Sequence, residues 1–136
     1  MFPIKIQRLY LYCEMADAIP DHEYQVLERD LNLKHPILIS AALNKFVESY
    51  RNKQCDFIDV RRIVNIFISW IDEQLTSGSQ SVHQLWYVEY YMIELLVLLD
   101  SKNEVLERLE IHIRRENSKA RNYRDLMLNS DESFKS

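Results

Sequence analysis

The side chains in this sequence that could carry chemistry are four histidines, two cysteines and a few carboxylates in apolar surroundings. His22, His35, His83 and His112 fall on different expected elements. They form no HExxH motif and no Glu-x-x-His pair on one helical face, as a di-iron bundle would need. They read as surface or capping residues. Cys13 and Cys55 are far apart and match no metal-ligand spacing, so both read as reduced, partly buried thiols. Glu89 and Glu94 interrupt the most apolar stretch. Five residues apart on a helix, they are rotated by roughly 140° and do not converge on one substrate. One is expected to reach solvent and the other to pair with a base. No nucleophile sits in a recognisable motif such as G-x-S-x-G. The expectation is a protein with no catalytic residue, no metal and no cofactor.

Binding is the remaining class of function, and two sets of residues suit it. Trp86, Tyr87, Tyr90 and Tyr91 form two aromatic pairs at i, i+4 on adjoining helix faces. Such a stripe is usually core, yet tyrosine and tryptophan also anchor interfaces, so one pair is a candidate for exposure. The second set is charged. Between Glu14 and Asp30 the acidic residues Glu14, Asp17, Asp21, Glu23, Glu28 and Asp30 face a single base, Arg29. Between Arg114 and Arg124 the balance reverses, with Arg114, Arg115, Lys119, Arg121 and Arg124 against Glu116. The plainest account is that the acidic and basic segments attract one another. Exposed instead, the acidic surface suits capture of a basic protein and the basic helix suits phosphate contacts. A net charge of −4 does not point to broad nucleic-acid binding.

The elements that must position these residues are helices. The chain holds one glycine, Gly78, and three prolines, too few for tight hairpins or a glycine-rich phosphate loop. The expected fold is an all-α, single-domain bundle of five to six helices over residues 1–128, with 129–136 a frayed tail. Residues Ile4 to Ala18 mix period-2 and helical spacing, leaving strand and helix both open, with composition favouring helix. Asp21 can cap a helix through Tyr24, Leu27 and Leu31. Pro36 opens a third, striped by Ile39, Leu43, Phe46, Val47 and Tyr50. A fourth starts at Asp56, with Val60, Val64, Phe67, Ile71 and Leu75 on one face. Ile63, Ile66 and Trp70 widen that face, so this helix should touch neighbours on two sides. Gly78 closes it in the left-handed conformation, a following serine caps the next helix, and the two form an antiparallel hairpin. The fifth, Ser81 to Leu99, is apolar nearly all round. Glu89 and Glu94 would each cost about 2.5 kcal/mol or more in lipid, so it reads as a central buried helix, not a membrane span. Ser101 and Glu104 form a capping-box pattern opening a last helix that runs on towards Leu128. The opening MFPIKIQRLYLY does not read as a secretion signal, and a cytoplasmic location is the expectation.

One hairpin carries a family likeness. The apolar helix ending in Glu73-Gln74-Leu75, the Ser77-Gly78 turn, and Val82 and Val88 leading into Glu94-Leu95-Leu96 resemble the small helical immunity proteins of bacterial polymorphic-toxin and contact-dependent inhibition systems. The likeness covers Ile63 to Leu99, and the aromatic-rich Trp86–Tyr91 stretch departs from it. It implies a non-catalytic inhibitor that occludes the active site of a cognate toxin domain, such as a nuclease. In that reading Glu14, Asp17, Asp21 and Glu23 would meet a basic cleft, with Trp86, Tyr87, Tyr90 and Tyr91 as anchors. The competing expectation is a regulatory or adaptor module that binds another protein or RNA through the basic C-terminal helix.

Overall fold

A computed structural model describes residues 4–53 and 57–130. After a 3-10 turn at Ile6–Arg8, they form seven α-helices. These are α1 (Leu9–Met15), α2 (Asp21–Leu33), α3 (Pro36–Lys53), α4 (Val60–Ser77), α5 (Val82–Leu98), α6 (Lys102–Ile113) and α7 (Ser118–Ser130). Among the described residues there is no strand, so the ambiguous N-terminal segment is helical, and the all-α expectation holds.

The helix number exceeds five to six partly because the expected last helix breaks in two. Ala120 and Tyr123 continue the apolar spacing across the break, which hides it. Glu116 turns left-handed at φ 61°, and the amides of Glu116 and Asn117 return to the carbonyls of Ile113 and His112. Asn117 Oδ1 then accepts from the amides of Lys119 and Ala120 at 3.0 and 3.3 Å, capping α7. Asn129 and Ser130 continue α7, and the rest of the expected frayed tail lies outside the described residues.

The same paired bonding ends two further helices. Ala16 (φ 54°) and Asp100 (φ 58°) are left-handed; the amides of Ala16 and Asp17 donate back to Cys13 and Tyr12, and those of Asp100 and Ser101 to Val97 and Leu96. This is the Schellman closure, which elsewhere usually takes glycine. Gly78 itself ends α4 at φ 69°, its amide donating to Gln74, as expected. A chain with a single glycine thus closes α1, α5 and α6 by placing other residues in a conformation they disfavour.

Several helix starts differ from expectation because the acidic side chains have longer-range work. Asp21 is the first residue of α2, with Pro20 at the cap position, and its carboxylate pairs with Arg62 on α4 at 2.9 Å. Glu104 does not complete a capping box with Ser101. It pairs with Arg61 on α4 at 2.5 Å, and that guanidinium holds the carboxyl below the usual range. Ser81 occupies the cap position of α5 without a side-chain cap bond. The expected start of the fourth helix, Asp56, lies outside the described residues. Asp59, just before α4, accepts the amide of Ile19 at 2.5 Å and ties the α1–α2 link to it.

Helix α5 is the centre of the molecule, as its composition requires. Leu85, Val88, Met92, Ile93, Leu95 and Leu96 are all fully buried, and it packs on α3, α4 and α6. Helix α1 and the 3-10 turn cover another side of α3, and α7 lies on α6. Among the described residues no helix is long and apolar enough to cross a membrane.

Candidate binding surface

Glu89, Arg108 and His112 form a connected polar network inside the bundle. Glu89 and His112 are both 0% exposed. Glu89 Oε1 accepts from Arg108 Nε at 2.9 Å and Nη2 at 2.5 Å, and lies 2.9 Å from His112 Nε2. Nε2 is the ring atom that faces this carboxylate, and Trp86 meets the ring edge-on at 5.3 Å. Arg108 Nη1 reaches Asp72 on α4 at 2.8 Å. Burial opposes the Arg108 charge, but Glu89 and Asp72 outweigh it and raise its pKa. Glu89 was expected to pair or to reach solvent. It pairs, from a fully buried position, and His112 is neither a surface nor a capping residue. The network ties α4, α5 and α6 together. His35, by contrast, does cap a helix: its Nδ1 accepts the Ile37 amide at 3.3 Å.

Glu94, on the side of α5 facing α3 and α7, gathers a second cluster. It accepts from Arg51 at 3.2 Å, Tyr90 at 3.3 Å and Tyr123 at 2.8 Å. As expected from their rotation, Glu89 and Glu94 do not converge. Burial, together with the Glu94 carboxylate, raises the pKa of both Tyr123 and Tyr90. Among the expected anchors, Trp86 is buried, 5% exposed, because α6 covers it, and it leaves the surface. Tyr91 is half-buried, while Tyr87 and Tyr90 are 41% and 36% exposed. Their hydroxyls are engaged within the chain, Tyr87 by Lys119 at 2.9 Å.

The acidic candidates divide in the same way. Glu14, Asp17 and Asp21 are exposed, and Glu14 bonds to the Ser49 hydroxyl at 3.2 Å. Glu23 is 2% exposed, a correction to its expected place on the surface. Its carboxylate accepts the Ile4 amide, anchoring the N-terminal segment to α2, and Asp30 takes the Ile6 amide at 3.2 Å. Period 3.6 alone cannot show this, since the donors lie outside the helix. The acidic and basic segments do not neutralise one another. Among the described residues, the acidic segment pairs with Arg62 and Lys34 and internally with His22. The basic segment pairs with Glu110 and Asp125.

Sequence reasoning missed a groove of about 380 Å³ between α2 and α4. It is floored by Leu31, Ile66 and Trp70 and rimmed by Glu28, Glu73 and Arg62. The signal was present: Arg62, Ile66, Ser69, Trp70 and Glu73 recur at helical spacing and mark one face of α4. Trp70 is buried and Ile66 half-buried on this side of α4, with α2 across the groove, whereas the close packing of α4 is on α5. Arg62 is already committed, pairing with Asp21 and lying 3.7 Å over the Tyr24 ring. Among the described residues, Glu28 and Glu73 have no ion-pair partner. Among the described residues no group of three or more His, Cys, Asp or Glu is placed to hold a metal ion.

Compared with protein-family models, with curated proteins and with solved structures, the chain matches none of them.

Proposed function

We propose that this protein is a non-catalytic, protein-binding inhibitor of the immunity type, acting in the cytoplasm by occluding a basic site on a cognate toxin domain. One observation carries the reading. The exposed acidic residues on α1 and α2 are not neutralised by the basic segment at the other end of the chain. Among the described residues Glu14, Asp17 and Glu28 have no ion-pair partner; like charge of this kind costs self-repulsion, and a partner of opposite sign relieves it while speeding association. The buried Arg108 network supports the same reading, because it gives a rigid body that need not reorganise on binding.

The test is co-expression with the product of the adjacent gene. Co-purification and neutralisation of that protein's toxicity are expected, both weakened when Asp17 and Asp21 become lysine. If nothing co-purifies and a neighbouring toxin-like protein stays active, the reading is wrong.

A second reading rests on the α6–α7 corner. Arg115 and Arg121 are exposed and have no carboxylate partner among the described residues. An adaptor that binds RNA there would show salt-sensitive gel shifts, lost when Arg114, Arg115 and Arg121 become alanine. No shift at low salt removes it.

A further inference from the structure

The α2–α4 groove has the dimensions and charge of a docking site for one kind of element. On α4 it runs from Arg62 to Glu73, which at 1.5 Å per residue is about 16 Å, or three helical turns. Its apolar floor is Leu31, Ile66 and Trp70. Its rim carries the carboxylates of Glu28 and Glu73. Arg62 adds little positive field, because Asp21 sits 2.9 Å from it.

We propose that this groove is the docking site for a basic amphipathic helix of the protein partner. The partner's Lys or Arg side chains would meet Glu28 and Glu73, and its apolar stripe would lie along Ile66 and Trp70. Charge complementarity selects a basic occupant over an acidic one. Backbone bonding selects a helix. Both walls of the groove are helices whose amides and carbonyls are bonded internally, so an extended segment finds no edge to pair with. A helix arrives with its own backbone bonds made and presents anchors at i, i+3, i+4 and i+7. This proposal rests on the inhibitor reading for its partner, but it can fail separately.

The probe is a synthetic 18-residue Leu/Lys amphipathic peptide titrated into the full-length protein, followed by amide and indole nitrogen–proton spectra. A Leu/Glu peptide of the same pattern is the control. Shifts at the Trp70 indole and along α2 and α4 are expected with the basic peptide and not with the acidic one. Glu28→Gln/Glu73→Gln should weaken binding about tenfold with an unchanged melting temperature. Shifts mapping to α5–α7, equal binding of both peptides, or undiminished binding by the double variant would each overturn the groove assignment. If the co-purified partner still binds the double variant normally, the groove is wrong and the inhibitor reading stands. If the peptide docks as described but no partner is neutralised, the groove stands and the inhibitor reading falls.

Discussion

Arg108 donates from Nε and Nη2 to a single oxygen of Glu89, at 2.9 and 2.5 Å, and sends Nη1 to Asp72 at 2.8 Å. One side chain on α6 thereby fixes the positions of α4 and α5. The ion pair is closed to water on the Glu89 side and open on the Asp72 side, where the carboxylate is 50% exposed. Its two halves therefore differ greatly in what their loss would cost.

Replacing Glu89 with alanine leaves the buried Arg108 with only the half-exposed Asp72 as partner and should destabilise by about 3 kcal/mol. Asp72→Ala removes only a half-exposed partner and should cost about 1 kcal/mol or less. The double variant Glu89→Leu/Arg108→Met removes both buried charges and should recover most of the loss. Urea denaturation of the variants measures this. Equal costs for Glu89→Ala and Asp72→Ala would show that the network is not buried as described.

Tyr123 gives a pH dependence with a definite sign. Burial and its bond to Glu94 raise its pKa above the ordinary value of 10.0, and Tyr24 is raised by burial and by Asp59 nearby. The folded state keeps these protons longer than the unfolded chain does. Their contribution is complete below pH 10.0 and is lost as pH rises above it, towards the folded-state values. Tyr123→Phe should lose about 1 kcal/mol at neutral pH, from the bond to Glu94, and show a shallower alkaline decline. Melting temperatures from pH 8 to about 11.5 test this, with parallel decline in both proteins as the contrary result.

Much of this fold is visible in the spacing of apolar residues, because burial repeats with the helical period. The α4–α5 hairpin, the Gly78 closure and the central place of α5 all follow from it. What the spacing hides is polar burial. Val105, Arg108, Leu109 and His112 share one face of α6, at i, i+3, i+4 and i+7, but a reading that counts only apolar residues passes over the two basic ones. A basic pair on a core-facing stripe, opposite a carboxylate on the most apolar helix, is the signal that was there to find. Glu23 was misplaced for a related reason, since its donor is an amide 19 residues away. The α2–α4 groove was hidden because no one-chain pattern tells how completely two helices close on each other.

If the acidic face steers a basic partner, charge removal should act on the association rate. Asp17→Asn and Glu28→Gln together should slow association several-fold at low salt and leave dissociation nearly unchanged. At about 1 M salt, where the screening length is near 3 Å, the variant and the parent should associate alike. Surface plasmon resonance across a salt series separates the two rates. A change confined to dissociation would instead make these residues contact anchors.

The three left-handed residues make the last prediction, and Glu116 is the cleanest of them. It is exposed, its φ is 61°, and its turn is fixed by the amides of Glu116 and Asn117 bonded to Ile113 and His112. Holding a side chain there costs about 1 kcal/mol or more, whereas glycine adopts the conformation freely and loses some of that gain to its greater unfolded-state entropy. Glu116→Gly should therefore stabilise by about 0.5 kcal/mol, raising the melting temperature by a degree or two. Glu116→Ala removes the carboxylate but keeps the strain, so it should leave stability nearly unchanged. If alanine matches glycine, the gain comes from removing charge and not from relieving the backbone, and the closing turn is not strained.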